Sequence, residues 1–342
     1  MREVRLGIIG LGVGTWHLES FKATPGAEVI ALCDIDAGRL NGRGDAHGIQ
    51  RRYASVQEIL ADRDVDAVSV CLPNDLHAEV TVAALERGKH VLCEKPLASS
   101  VADGRRMAAA ARASRKTCML AMKFRFTPEA YAISAELARG GLGEVYYGYT
   151  HYLRPPEGIP TGTDNWFIKK RRSGGGTLID NGVHLLDLTW YLMGCPRPVS
   201  AYGATYAKFG PHQEALARDF DVEDFGCGLI RFDNGASVYL DNAWAAMVSE
   251  TLIGLRVAGT RGGATMWPFS LVSLVDGKTK AITPTLDPTS AQTEFAHFVE
   301  CVTAGRPTLS PVGQGLEVLK MLDALYVSSA TGKAQPIEPE LP

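Results

Sequence analysis

A carboxylate and an imidazole stand four residues apart in the stretch from Asp180 to His184, just after the run Gly174-Gly175-Gly176. A helix beginning near Leu178 places both on one face, because residues four apart are neighbours on a helix surface. Imidazole is the side chain whose ordinary titration falls near neutral pH, so it is suited to take a proton from a hydroxyl group. A neighbouring carboxylate can orient a second hydroxyl and bias the charge state of the pair. Oxidation of an alcohol by such a pair also needs an electron acceptor.

The acceptor site is legible at the other end of the chain. Val4 to Ile9 reads as a short apolar strand that runs into Gly10-Leu11-Gly12-Val13-Gly14. Strand, glycine turn and helix follow in the order of a dinucleotide site. Gly10 permits the turn, Gly12 lets backbone approach a pyrophosphate, and the helix start offers unpaired N–H groups to that anion. The third fingerprint position is Thr15, and the adjacent Gly14 supplies the missing room. A second strand, Glu28 to Cys33, ends in Asp34, 22 residues beyond Gly12. An acidic residue at that distance binds adenosine ribose hydroxyls and repels a 2′-phosphate, which favours NAD over NADP. Arg39 and Arg43 lie downstream, where either could hold such a phosphate.

Up to residue 121 short apolar runs alternate with amphipathic stretches, the pattern of a doubly wound parallel sheet. Strands are predicted at 4–9, 28–33, 66–72, 89–93 and 117–121, with helices at 14–24, 37–47, 56–61, 76–87 and 100–114. The strand ending at Leu72 is followed by Pro73-Asn74, at the carboxyl edge where such sheets bind ligands. From residue 122 the pattern changes to a helix at 128–139, a strand at 144–153, and a long loop from Arg154 to Gly176. A helix at 178–193 precedes strands at 199–207, 225–232, 236–243, 252–259 and 263–267, and helices at 291–304 and 312–330 close the chain. Consecutive strands joined by hairpins predict a mainly antiparallel sheet. The expected fold is α/β, with domains at 1–121 and 122–342; the final helix is free to pack back toward the first.

The 342 residues suffice for two domains with their own cores, and 46% hydrophobic with 21% charged residues is a globular composition. A net charge of −3 gives no drive toward nucleic acid or anionic membrane. No apolar run approaches the ~20 residues of a membrane span. Met1 to Arg5 enters the first strand at once, so a cytoplasmic location is the expectation. Seven cysteines without Cys-x-x-Cys spacing indicate neither a disulfide framework nor zinc, and no metal is expected.

A strand ending in Glu94-Lys95-Pro96 resembles the glucose–fructose oxidoreductase / inositol dehydrogenase / MocA family. The resemblance spans nearly the whole chain. It includes the glycine turn with Asp34, Pro73-Asn74 with His77, Phe124-Arg125-Phe126, Gly174 through His184, and Ser328-Ser329-Ala330. It implies a Rossmann domain followed by an α+β domain whose open sheet forms a homodimer or homotetramer interface. It also implies reversible hydride transfer between NAD(P) and a sugar, inositol or related polyol. The catalytic lysine, aspartate and histidine then fall on Lys95, Asp180 and His184, from two domains whose cleft would assemble the site. Cofactor contacts are expected from Gly10, Gly12, Val13, Gly14, Asp34, Leu72, Pro73, Asn74, His77, Glu94 and Lys95. Substrate contacts are expected from Lys95, Arg125, Trp166, Asp180 and His184, with Asp187 as a salt-bridge or capping partner. Lys95 at a strand end would stabilise the oxygen as charge develops on it. Lys169, Lys170, Arg171 and Arg172 in the long loop are read equally as a surface, a subunit contact or an anion site. Two other functions suit the same cofactor site: glycoside cleavage or elimination with no net redox change, and a regulator that binds cofactor without catalysis.

Overall fold

A computed structural model describes residues 3–161, 165–214, 216–282, 286 and 291–340. Met1, Arg2 and residues 162–164 of the long loop lie outside that set. The chain divides into two compact units, 1–122 with 292–316, and 123–291 with 317–342. Residues 292–316, counted with the second domain by a linear boundary at 121, therefore belong with the first.

The first unit contains β1 (Val4–Ile9), α1 (Gly14–Lys22), β2 (Ala27–Cys33), α2 (Ala37–His47), β3 (Arg51–Tyr53), α3 (Val56–Ala61) and β4 (Ala67–Val70). It continues through α4 (His77–Glu86), β5 (His90–Cys93), α5 (Val101–Ser114) and β6 (Cys118–Leu120). The strands pair in parallel in the order β3-β2-β1-β4-β5-β6. β1 and β4 are almost wholly buried, as strands covered on both faces must be. β3 was not expected, because Arg51-Arg52-Tyr53 is short and polar and occupies an edge. The returning segment carries Phe295, whose ring meets Trp16, His17 and Phe21 of α1 edge-on at 5.0, 5.0 and 4.9 Å.

The second unit holds α6 (Pro128–Ala138), β7 (Val145–Leu153), α7 (Lys170–Ser173), α8 (Val183–Leu192), β8 (Pro198–Tyr206), β9 (Phe225–Phe232), β10 (Ser237–Ala243) and β11 (Leu252–Gly259). Next come β12 (Gly262–Met266), β13 (Ser270–Val275) and β14 (Lys278–Ile282). Helix α9 (Glu294–Ala304) lies in the returning segment, and α10 (Val312–Thr331) leads to β15 (Gln335–Pro336). The nine strands run in the order β14-β13-β12-β11-β7-β10-β9-β8-β15, antiparallel except where β10 pairs with β7. Strands β13, β14 and β15 were not expected. The hairpin signal for β13–β14 is nonetheless present as Asp276-Gly277, both at positive φ (52° and 71°) in the turn.

One face of this sheet carries a row in register, Tyr202, Leu229, Tyr239, Tyr149 and Arg256, across five strands. Tyr149 and Tyr239 stack at 5.9 Å, and Arg256 lies over Tyr149 at 5.7 Å. No helix among the described residues is long and apolar enough to cross a membrane.

Candidate active site

The cofactor side starts from the first strand–turn–helix and continues along the carboxyl ends of β2, β4 and β5. Gly10 sits at φ +86°, and a Cβ there would overlap the Cys71 carbonyl oxygen, so neither strain nor space allows another residue. Gly14 supplies close helix–strand packing, since its Cβ would stand 3.0 Å from Ile8 and 3.2 Å from Cys71. Gly12 is different, because a Cβ there would meet nothing within 4 Å of the protein. The open space there leaves room for a closely approaching pyrophosphate.

Asp34 ends β2 and is buried, with the Leu11 N–H donating to Oδ2 at 2.7 Å and the Asp36 N–H to Oδ1 at 2.8 Å. Arg39 lies 3.2 Å from the same carboxylate. A carboxylate has about four acceptor positions, so capacity for a ribose hydroxyl remains beside these three donors. Ile35 beside it is 95% exposed, an apolar surface suited to an adenine ring. These residues fit a dinucleotide. Arg39, weighed above as a phosphate ligand, is an ion-pair partner of the residue that would repel the phosphate.

At the carboxyl edge, Leu72 and Pro73 lead to a 3-10 turn, Asn74–Leu76, ahead of α4. His77, expected as a cofactor contact, is fully buried, with Nδ1 2.8 Å from the Pro96 carbonyl and Nε2 2.8 Å from that of Leu72. Burial holds its pKa below the ordinary histidine value, against the pull of those carbonyls. The neutral ring donates to one of the two, according to tautomer. Glu94 accepts from the Lys95 N–H at 2.9 Å and contacts His17 Nε2 at 2.8 Å. His17, fully buried, meets Ser69 Oγ at 2.7 Å through its other nitrogen. Burial opposes ionisation of Glu94, but the bond from His17 and the charges beside it hold its pKa below the ordinary carboxylate value.

The substrate side is held from further away. The helix carrying Asp180 and His184 is not a regular α-helix from Leu178. Residues Leu178–Gly182 form a π-turn and the α-helix proper starts at Val183, so the four-residue spacing is not that of one continuous α-helix. Glu223 anchors the start, taking the Gly176 N–H at 2.8 Å, the Leu178 N–H at 2.9 Å and the Tyr326 hydroxyl at 2.8 Å. Burial raises its carboxyl pKa, partly offset by those donors. A Cβ on Gly176 would overlap the Glu223 carbonyl oxygen, and one on Gly175 the Tyr326 hydroxyl. Gly175 and Gly176 are therefore packing requirements within this unit, while Gly174 ends α7 at a positive φ of 88°.

Trp244 Nε1 donates to Asp180 Oδ2 at 3.0 Å. The same indole is fully buried in a small core with Ile159, Ile168, Leu216, Phe220 and Val222. The long loop, with 3-10 turns at Pro156–Gly158 and Trp166–Ile168, thus braces Asp180 through Trp244. Trp166 is half-buried and stacks on Phe167 at 4.0 Å. Of the loop's basic side chains, Lys169 lies 3.7 Å from Asp219 and the Lys170 ammonium lies over the Tyr326 ring at 5.6 Å.

Arg125, expected to bind substrate, is buried at 2% exposure and grips Asp187 through two bonds of 2.7 and 2.5 Å. Its guanidinium also stacks on Tyr191 at 4.5 Å. It fixes α8 to the 123–126 turn, as Asp187's expected salt bridge requires. Phe124, from the same turn, packs against the His184 ring at 5.2 Å and Trp267 at 5.3 Å. Glu223, Tyr326, Trp244 and His17 escaped the sequence reading. Only the adjacency of Glu223-Asp224 to a predicted strand and of Trp244 to its end were signals.

Residues 4–122 match the oxidoreductase family with an NAD-binding Rossmann fold, Gfo/Idh/MocA, and residues 132–265 match the C-terminal domain of that family. The chain is 30% identical over 345 residues to 1,5-anhydro-D-fructose reductase of Ensifer adhaerens, covering 98% of each. It is 28% identical over 342 residues to D-glucoside 3-dehydrogenase of Escherichia coli K12, covering 96% of each. The crystal structure of an oxidoreductase domain protein from Kribbella flavida superposes with a TM-score of 0.88 at 25% identity, covering 99% of this chain and all of that one.

Proposed function

This chain belongs to the Gfo/Idh/MocA oxidoreductase family, and from that premise we propose that it oxidises a carbinol carbon of a pyranose sugar or related polyol. The carrying observation is the Asp180–His184 element: a polar pair braced at both ends by buried long-range partners, Glu223 before it and Arg125 after it. Bound NAD supplies the hydride acceptor. His184 takes the hydroxyl proton, and the Phe124 ring against it limits its rotation. Lys95 donates a hydrogen bond to the oxygen on which charge develops. Asp180, held by Trp244, orients a neighbouring hydroxyl. Trp166 offers an aromatic face to the C–H face of a ring. The relatives named for a glucoside and an anhydrofructose support a pyranose substrate.

We place the homo-oligomer contact on the row from Tyr202 to Arg256. Tyr202 is 55% exposed and Leu229 38%, a contiguous apolar surface of the kind that marks interfaces. NAD reduction across inositols, aldoses, anhydrosugars and sugar acids tests the proposal. Net NADH with at least one of them is expected. Product formation without net NADH would favour cleavage or elimination, and NADH binding without turnover of any would favour a regulator.

A further inference from the structure

We propose that His17 and His77 are positioning residues for Lys95, holding the Glu94-Lys95-Pro96 turn from its two ends. The proposal rests on the role given to Lys95 above. The Glu94 N–H bonds Val70 in the sheet at 2.9 Å, but Lys95 donates to the Glu94 side chain and Pro96 has no N–H to give. What fixes Glu94 Oε1 is His17, 2.8 Å away, and what fixes the Pro96 carbonyl is His77, also at 2.8 Å. Both rings are fully buried; His17 also meets Ser69 Oγ on β4, and His77, donating from Nδ1 to Pro96, turns its unprotonated Nε2 toward the Leu72 carbonyl just beyond β4.

The elements that carry these rings are those that make the cofactor cradle. His17 lies in α1 three residues after Gly14, and His77 opens α4 four residues after Pro73. Lys95 is therefore registered against the glycine turn on one side and the Leu72–Pro73 edge on the other. A displaced amine loses hydrogen-bond geometry quickly, and a 1 Å error in a reacting group can cost about 100-fold in rate.

Amide isosteres separate this role from plain packing, since the asparagine nitrogen approximates Nδ1 and the glutamine nitrogen Nε2. His77→Asn places an N–H donor at the Pro96 carbonyl, and His77→Gln places its donor at the Leu72 carbonyl instead. His17→Gln keeps the contact with Glu94, and His17→Asn only that with Ser69. The test acylates the full-length protein with N-hydroxysuccinimidyl acetate in saturating NADH and measures the rate at Lys95 against Lys116 by peptide mass spectrometry. His77→Asn and His17→Gln are expected within about 2-fold of the wild-type rate, and His77→Gln and His17→Asn to differ by about 5-fold or more, the scale of one lost hydrogen bond. The NADH dissociation constant should move less than about 3-fold in all four. Equal behaviour of Asn and Gln at both positions, or changes that follow Tm instead of the retained contact, would overturn the proposal. If one position does not tolerate substitution, the pair at the other decides. Labelling reads the placement of Lys95 whether or not any polyol is turned over, so failure of the dehydrogenase reading leaves this test standing.

Discussion

The cofactor cradle and the Asp180–His184 helix are held together in different ways. Within the glycine turn, Thr15 Oγ1 donates to the Leu11 carbonyl, the Asp36 N–H to Asp34, and the Leu11 N–H to Asp34 across 23 residues, while the longer ties, His17 to Ser69 across 52 and to Glu94 across 77, lie outside the turn itself. Around the helix, Glu223 reaches Gly176 across 47 residues, Arg125 reaches Asp187 across 62, Trp244 reaches Asp180 across 64 and Tyr326 reaches Glu223 across 103. A site of the first kind is encoded in a motif. One of the second kind is assembled by the tertiary fold, so its residues are vulnerable to changes far from them in sequence.

The largest effects should come from the reacting groups. Lys95→Ala and His184→Ala are each expected to lower turnover by about 100-fold or more while NADH affinity, by fluorescence titration, stays within a few-fold. Full activity in either would remove that residue from the mechanism. Next comes the brace. Arg125→Ala leaves Asp187 buried without its ion-pair partner, which costs about 3–5 kcal/mol and is readable as a fall in the denaturant midpoint at unchanged m-value. A loss under about 1 kcal/mol would mean that the pair is not buried as described.

The glycine turn offers a finer comparison. Gly10→Ala forces a Cβ onto the Cys71 carbonyl at a positive φ and should destabilise the fold by about 1–3 kcal/mol. Gly12→Ala meets no protein atom and should leave stability within about 0.5 kcal/mol while weakening NADH binding. If Gly12→Ala binds NADH normally, the pyrophosphate does not approach there.

The smallest effect is a pH dependence. Burial, with the charge of Lys116 nearby, lowers the His90 pKa from 6.5 to about 4, and its ring accepts the Thr117 N–H at 3.0 Å. A folded pKa below the unfolded one means stability present above pH 6.5 and lost as pH falls toward 4. Tm measured across that window should decline less steeply in His90→Asn, whose carbonyl can still accept from Thr117. An unchanged slope would show that other groups control the decline.

The same contrast explains what was legible. The parallel sheet, the glycine turn, Asp34 and most strand positions follow from local hydrophobic period and turn residues. The four-residue spacing of Asp180 and His184 suggested one face of an α-helix, and the π-turn beneath Asp180, which has no period of its own in five residues, was not legible. The pairings of Arg125 and His77 were not legible, because an isolated polar residue does not reveal whether it faces solvent or a buried partner. Their partners, Asp187 and the carbonyls of Pro96 and Leu72, are brought to them only by the fold. β13 and β14 were missed because β14 is exposed throughout and shows no buried face, although Asp276-Gly277 announced their turn.

The central claim is direct hydride transfer from a carbinol carbon to NAD, and isotopic transfer measures it. A substrate returned by the NAD-reduction screen, deuterated at the reacting carbon, should yield NADH carrying that deuterium at the nicotinamide C4 in stoichiometric amount with the ketone or lactone product. Product formed with no net deuterated NADH would contradict the account.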